Sequence, residues 1–88
     1  LEEYEKASEY GKKSLAISEA MGDSIQMITT LNNLGAINTV NQNFEKATAY
    51  YFQGLNLVKD KKDYGAVDDK QRFLANISGL YNRQGKYK

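Results

Sequence analysis

Apolar and small side chains recur every three or four positions through most of the chain, a spacing that predicts amphipathic α-helices. The first predicted helix covers residues 1–21, and its face is formed by Tyr4, Ala7, Gly11, Ser14, Leu15 and Ile17. The second covers residues 24–40, and its face is formed by Ile25, Ile28, Leu31, Leu34, Ile37 and Asn38. The chain has no proline, so no residue forces either helix to stop early.

The same spacing continues in the second half of the chain. The third predicted helix covers residues 44–60 and has the most regular face, formed by Phe44, Ala47, Tyr51, Gly54, Leu55 and Val58. The fourth begins between Tyr64 and Asp69 and ends near Arg83, and its buried face is formed by Phe73, Leu74, Ile77 and Tyr81. The fold predicted from these patterns is all-α, with four antiparallel helices.

Short polar segments separate the helices and supply turn and capping residues. Gly22 suits the left-handed stop that often ends a helix. Asp23 followed by Gln26 predicts a capping box at the start of the second helix. The polar run 41–43 is predicted to form a turn whose last residue, Asn43, caps the third helix. We interpret the charged run 59–63 as a solvated helix end.

Composition and charge exclude several functions. The net charge of +1 offers no electrostatic footprint for nucleic acid or an anionic membrane. The chain contains no histidine and no cysteine, which removes the commonest general base, disulfides and thiolate metal sites. The carboxylates stand outside the apolar faces, so we expect no catalytic residues, no metal, no cofactor and no enzymatic activity. No apolar run reaches the ~18 residues of a membrane-spanning helix.

The two halves of the chain repeat each other. A shift of 40 residues aligns the first helix with the third, pairing segment 4–7 with 44–47, Tyr10 with Tyr50, Ser14 with Gly54, Leu15 with Leu55 and Ile17 with Leu57. A shift of 43 residues aligns the second helix with the fourth, pairing Leu31 with Leu74, Asn33 with Asn76, Leu34 with Ile77, Gly35 with Ser78 and Asn38 with Tyr81. Such a period indicates a solenoid, in which each helix pair buries its face on its neighbours.

The chain resembles the tetratricopeptide repeat family over essentially its whole length. The resemblance is carried by Leu31, Leu34-Gly35, Phe44, Ala47, Tyr50-Tyr51 and Leu55. It implies antiparallel helix pairs stacked in a right-handed superhelix. Residues 1–22 would be helix B of repeat one, 23–62 a complete repeat two, and 63–88 helix A of repeat three. Gly11 and Asn38 stand where the family has aromatic residues, which predicts a looser contact on that side.

The long period is similar to the extended repeats of bacterial signalling proteins, including sensor histidine kinases and transcription regulators. Because the sequence begins inside a helical pattern, we interpret it as a part of a larger protein, and the resemblance implies that this protein is bacterial. Cytoplasm and periplasm are both compatible with its composition.

The resemblance also implies a concave face that binds proteins or peptides. Its predicted residues are Thr29, Asn32, Asn33, Ala36, Thr39, Arg72, Asn76, Asn82 and Arg83. Asn33 and Asn76 occupy equivalent places, and their amides can bond either a peptide backbone or only neighbouring groups. Arg72 and Arg83 can hold a partner carboxylate or stand in solvent.

Three functions remain open at this point. The first is a scaffold that binds a protein or an extended peptide. The second is a sensory module for a small ligand or signalling peptide, which a deep apolar pocket on the concave face would favour. The third is a structural role in self-association, because both end helices are expected to expose apolar surface that invites a homodimer.

Overall fold

The computed structural model describes residues 2–59 and 64–84, and over these residues the chain is all-α, as predicted. The helices are α1 (Glu2–Met21), α2 (Ser24–Val40), α3 (Phe44–Val58) and α4 (Tyr64–Gln84). Helix α2 has the predicted bounds, and α4 begins and ends where the pattern placed it. Most of the charged run 59–63 lies outside the described residues.

Helices α1 and α2 end in the same type of turn. After α1, Gly22 has φ of +69°, and the backbone N–H of Asp23 donates to the carbonyl of Ser18 at 2.9 Å. After α2, Gln42 has φ of 62°, and the N–H of Asn43 donates to the carbonyl of Asn38 at 2.7 Å. Both are Schellman motifs, in which a left-handed residue lets the chain close back on the last helical turn.

The predicted caps are confirmed in part. The carboxylate of Asp23 accepts a hydrogen bond from the backbone N–H of Gln26 at 3.0 Å. The Gln26 side chain does not complete the capping box, because its amide donates to the Thr30 hydroxyl at 3.3 Å. Asn43 precedes α3 as predicted but makes no side-chain capping bond. The last prediction, that the Asn43 side chain caps α3, was therefore wrong.

The described helices form an open array in which each packs mainly on its neighbours in the sequence. Helix α2 packs on both α1 and α3, and α3 packs on α4. A smaller contact joins α2 to α4, whereas no Cα atom of α1 lies within 8 Å of α3 or α4 in the described ranges. Within the described ranges, one face of α1 and one face of α4 have no helix against them.

Contacts between the helices define their relative directions. Gly11 of α1 approaches Leu34 of α2, and Ser14, one turn later, pairs with Thr30, one turn earlier. Helices α1 and α2 are therefore antiparallel. Asn32 of α2 pairs with Asn76 of α4, 44 residues later. Ile25 and Asp69, which border one groove, are also 44 residues apart, so α2 and α4 run in the same direction.

A glycine on each of three successive helices accommodates a large side chain from the next helix. A Cβ atom on Gly11 would lie 2.5 Å from Cδ2 of Leu34. A Cβ atom on Gly35 would overlap the ring of Tyr51, and one on Gly54 would overlap the ring of Phe73. The rings of Tyr51 and Phe73 meet edge to face at 6.4 Å. Tyr51 therefore fills the space beside Gly35 and reaches the next helix.

Two apolar clusters form the core of the described residues. The larger contains Ile28, Ala47, Tyr51, Val58, Phe73, Ile77 and Leu80. The smaller contains Leu15, Leu31 and Leu34, with Met27, Tyr50 and Leu57 packed against it. Leu80, which was not among the residues predicted to be buried, is 1% exposed and continues the spacing of Phe73 and Ile77. Ser18 is also buried, and its hydroxyl donates to the Ser14 carbonyl at 2.8 Å.

Five residues that were predicted to lie on buried faces are exposed. They are Tyr4, Ile17, Ile25, Leu74 and Tyr81. The predictions were wrong because helical spacing identifies an apolar face but does not show whether another element covers it. In α1 the buried face is centred on Leu15 and Ser18, and in α4 it is centred on Phe73, Ile77 and Leu80.

The predicted loose contact at Gly11 and Asn38 was only half right. Gly11 lies close against Leu34, and Asn38 is buried with its Nδ2 donating to the Leu34 carbonyl at 2.8 Å. An open groove of about 740 Å³ nevertheless separates the first half of α1 from the turn between α2 and α3, and Asn38 borders it. The small residue at position 11 therefore permits a close approach, whereas the gap lies nearer the turn.

The contacts agree with the internal repeat. The hydroxyls of Ser14 and Thr30 lie 3.4 Å apart at the interface of α1 and α2. Shifts of 40 and 43 residues carry this pair onto Gly54 and Phe73, which meet at the interface of α3 and α4. The first pair consists of two small polar residues, and the second consists of a glycine and a phenylalanine. Both pairs lie at equivalent positions between two neighbouring helices.

Candidate functional site

Helices α2 and α4 present a mostly polar surface on one side of the array. We call it the α2/α4 surface and define it by the predicted residues Thr29, Asn32, Asn33, Ala36, Thr39, Arg72, Asn76, Asn82 and Arg83. Six of these side chains are exposed, and Asn32, Thr39 and Asn76 are half-buried. The buried faces of both helices point away from this surface into the core, which fixes its orientation.

A hydrogen bond between two asparagines joins the helices at this surface. The Nδ2 of Asn76 donates to the Oδ1 of Asn32 at 2.6 Å. This bond uses one donor of Asn76 and one acceptor of Asn32, so the Nδ2 of Asn32 and the Oδ1 of Asn76 are not engaged by it. Asn33, the sequence equivalent of Asn76, is exposed and does not take part. The structure therefore brings Asn76 together with Asn32, not with Asn33.

A groove of about 160 Å³ lies between α2 and α4, next to this bond. We call it the α2/α4 groove, and it is bordered by Ile25, Ile28, Thr29, Asn32, Asp69, Arg72 and Phe73. Ile28 and Phe73 are buried and give it an apolar floor. The remaining residues form a rim that is polar except for Ile25. A groove with this floor and rim can accept one apolar side chain.

The rim carries an ion pair. The Nη1 of Arg72 lies 3.4 Å from the Oδ1 of Asp69, one helical turn earlier. The Arg72 side chain is 58% exposed, so this pair is worth little in stability. Because Asp69 already pairs with Arg72, the expectation that Arg72 binds a carboxylate of a partner is weakened.

The other predicted site residues are less closely connected to the groove. The Thr39 hydroxyl donates to the Gly35 carbonyl at 2.8 Å, one turn earlier in its own helix. Ala36 is exposed near the middle of α2, and Asn82 and Arg83 are exposed in the last turns of α4. These four residues can extend the surface, but they do not line the α2/α4 groove.

The apolar part of the groove was not predicted from the sequence. Ile25 and Ile28 were assigned to a buried face, and Asp69 was placed at a helix start. Asp69 precedes Arg72 and Phe73 by one helical turn, and this spacing was the feature of the sequence that could have indicated that the three residues lie close together on α4. The contact between α2 and α4 could not be read from the spacing, because it joins residues 44 apart.

The larger groove beside α1 is charged and open. Besides Asn38, its lining includes Glu5, Glu9, Lys12 and Lys46. The Nζ of Lys12 lies 3.6 Å from the Oε1 of Glu9 on the same helix. With Lys6 and Lys13 included, the lining carries four lysines and two glutamates, so charges of both signs are present and the balance is positive.

The described part of the chain contains neither a candidate metal cluster nor a candidate membrane-spanning helix. Within 2–59 and 64–84, no three acidic residues gather closely enough to hold a metal ion. Over the same ranges, no helix is both long and apolar enough to cross a membrane.

A comparison with known proteins finds no matching family model, no matching curated protein and no matching solved structure. The function is therefore inferred from the residues and contacts of this chain.

Proposed function

We propose that the chain is a helical-repeat module of tetratricopeptide type that binds an extended peptide segment of a partner protein. The observation that carries the proposal is the Asn32–Asn76 hydrogen bond beside the α2/α4 groove. It puts side-chain amides next to an apolar depression on a surface formed by two parallel helices. Extended peptides need both features, because their backbones require hydrogen bonds and their side chains require pockets.

The repeat assignment is supported by the open array and by the equivalent contacts of Ser14 with Thr30 and Gly54 with Phe73. In a solenoid each helix pair contacts only its neighbours. Such an array leaves the first helices of successive pairs side by side, as α2 and α4 are here. We extend this assignment to a right-handed superhelix whose concave side is the α2/α4 surface.

The proposed peptide lies along α2 and α4, with one apolar side chain in the α2/α4 groove. The Nδ2 of Asn32, the Oδ1 of Asn76 and the exposed amide of Asn33 bond its backbone. An amide supplies both a donor and an acceptor, so it can bond either backbone group. The Asn32–Asn76 bond fixes two of these amides in advance, which lowers the entropy lost on binding.

The size of the groove favours a peptide over a small-molecule ligand. Pockets for small molecules usually enclose about 300–1,000 Å³, whereas the α2/α4 groove has about 160 Å³. One side chain of a peptide fits this volume, while the rest of the peptide contacts the open surface. We place the module in a larger signalling protein, on the resemblance of its repeats alone.

The proposal can be tested by selecting peptides that bind the purified chain from a displayed random library. A fluorescently labelled peptide from this selection is then titrated with the chain, and binding is followed by fluorescence anisotropy. We expect enriched peptides to share an apolar residue. Asn33→Ala should weaken binding about threefold to tenfold, because it removes one net hydrogen bond. Thr29→Arg should weaken it further by placing a long charged side chain at the groove.

Asn56→Ala is the matched control for Asn33→Ala, because Asn56 is an exposed amide on α3, away from the α2/α4 surface. It should leave affinity unchanged. Circular dichroism would verify that each variant folds. Absence of any enriched peptide, or wild-type affinity in both Asn33→Ala and Thr29→Arg, would contradict the proposal.

A further inference from the structure

Gly79 of α4 differs from the three glycines that accommodate a neighbouring side chain. Gly11, Gly35 and Gly54 each lie against a leucine or an aromatic ring of the next helix, so the fold requires their lack of a Cβ atom. A Cβ atom on Gly79 would meet nothing within 4 Å, and Gly79 is exposed. No described neighbour therefore requires a glycine at position 79.

A glycine at this position disfavours the helix that contains it. Gly79 lies in the interior of α4, which continues to Gln84, so it does not serve to end the helix. After proline, glycine is the least favourable residue in a helix interior, because it loses the most backbone freedom on folding. Alanine would remove this cost without a clash. The presence of glycine here is thus not explained by stability.

Gly79 lies on the α2/α4 surface, directly beyond the Asn32–Asn76 hydrogen bond. It follows Arg72 by seven residues, and Arg72 borders the α2/α4 groove, so both residues are on the same side of α4. It also follows Asn76 by three residues, and residues three apart are neighbours on a helix surface. The backbone of α4 is therefore uncovered by a side chain next to the paired amides.

The internal repeat indicates that Gly79 is not a packing position for a further helix. A shift of 43 residues carries Ala36 onto Gly79 and Gly35 onto Ser78. Gly35 packs on the Tyr51 ring, whereas Ala36 is exposed although α1, α3 and α4 all pack against its helix. A helix placed beside α4 as α4 lies beside α2 would therefore leave Gly79 uncovered.

An acceptor without a partner lies beside Gly79. The Nδ2 of Asn76 donates to Asn32, whereas no described residue donates to the Oδ1 of Asn76. Among the described residues, no buried side-chain oxygen or nitrogen lacks a hydrogen-bond partner, so this Oδ1 is accessible. An amide oxygen of this kind can accept a hydrogen bond from a backbone N–H group of a ligand. A ligand main chain bonded in this way would lie next to Gly79.

Building on the proposed peptide binding, we infer that the main chain of the bound peptide crosses α4 at Gly79. It lies in van der Waals contact with the Cα atom of Gly79, and one of its N–H groups donates to the Oδ1 of Asn76. An extended segment can approach so closely, because its main chain is accessible between alternate side chains. A helical ligand cannot, because packed helices have axes about 8–10 Å apart. Gly79 therefore selects an extended ligand.

The position of Gly79 also fixes the register of the peptide. Gly79 is six residues beyond Phe73, which forms part of the groove floor, so the two are about 9 Å apart along α4. An extended chain rises about 3.3 Å per residue. The crossing point is therefore about three residues from the apolar side chain that enters the α2/α4 groove. At the crossing point the contact is made by the main chain of the peptide.

Two substitutions of Gly79 test this inference, with a peptide selected from the displayed library as the probe. Gly79→Ala adds a methyl group between α4 and the peptide, so it should weaken binding at least about fivefold in fluorescence anisotropy. The same change should raise the urea concentration at which the chain unfolds. Gly79→Gln should weaken binding further, because its longer side chain covers the crossing point.

Ser78→Ala is the matched control for Gly79→Ala. Ser78 is also exposed on α4, but successive helical residues point to different sides, so this change lies away from the peptide. It should leave the affinity unchanged. Weaker binding together with higher stability in Gly79→Ala alone supports the inference, because a purely structural role of Gly79 does not produce this combination.

A second measurement tests whether the main chain makes the contact. Each residue of the selected peptide is replaced by alanine in turn, and each peptide is titrated into the wild-type chain and the Gly79→Ala chain. The loss caused by Gly79→Ala should persist with every peptide, because a main-chain contact remains when a side chain is shortened. A loss that disappears with one of these peptides indicates a side-chain contact and overturns the inference.

Failure of this inference can be distinguished from failure of the proposed function. Wild-type affinity of Gly79→Ala, in a chain whose binding is weakened by Thr29→Arg, overturns only the crossing at Gly79. A Gly79→Ala chain that is less stable than the wild type also overturns it, because the glycine would then serve the fold. If no peptide is selected, or if Asn33→Ala and Thr29→Arg both bind like the wild type, the proposed function fails and this inference fails with it.

Discussion

At the scale of single residues, the shape of the array depends on glycines, because a residue without a side chain lets a neighbouring helix approach closely. Gly35 and Gly54 lie under the rings of Tyr51 and Phe73, and these contacts bring α2, α3 and α4 together in sequence. Gly35 belongs to the sequence motif that carries the resemblance, and the structure shows that the Tyr51 ring lies against it. Gly54 was assigned to the apolar face of the third helix, but its partner was not predicted, because periodicity alone does not identify the opposing residue.

Gly35→Ala should lower the free energy of unfolding by about 1–3 kcal/mol, because the new methyl group overlaps the Tyr51 ring in a packed core. Gly79→Ala should have the opposite sign. Gly79 lies inside α4, and a Cβ atom added there would meet nothing within 4 Å, so alanine brings about 1 kcal/mol of helix propensity without a clash. Urea denaturation followed by circular dichroism measures both. Equal effects of the two changes would show that Gly35 is not a packing position.

At the scale of elements, two Schellman turns set the antiparallel course of the first three helices. The turn after α1 has glycine at its left-handed position, whereas the turn after α2 has Gln42. A side chain with a Cβ atom disfavours this conformation, so the second turn is held at some cost by its hydrogen bonds and by the packing of α2 on α3.

Exchanging residue types at the two turns should change stability in opposite directions. Gln42→Gly should raise the free energy of unfolding by up to about 1 kcal/mol, because glycine adopts positive φ without strain. Gly22→Ala should lower it by about 1 kcal/mol for the converse reason, although a Cβ atom at position 22 meets no neighbour. Thermal unfolding of the two variants beside the wild type measures both shifts. A lower melting temperature for Gln42→Gly would contradict this account of the second turn.

The helices themselves were well predicted because their spacing and turn residues are local properties of the sequence. Coverage of their faces was not, because Leu31 and Leu74 have the same residue type at equivalent positions and differ only in what lies opposite. In the candidate site, too, some features were predicted from the sequence and others were not. The resemblance placed Asn33 on an exposed face of α2, whereas the bond of Asn76 to Asn32 depends on the tertiary placement of α4 beside α2.

At the scale of the whole molecule, three surfaces have different chemistry. The α2/α4 surface combines amides with a small apolar groove, and we assign it to a peptide. The outer sides of α1 and α4 expose apolar side chains, among them Ile17 of α1 and Leu74 of α4.

The central claim is that a peptide binds across α2 and α4, and chemical-shift mapping tests it most directly. A library-selected peptide would be titrated into the ¹⁵N-labelled chain. We predict that the largest backbone amide shifts occur at Thr29, Asn33, Ala36, Arg72 and Asn76. Shifts concentrated instead at Ser8 and Asn41, in the charged groove beside α1, would contradict the claim.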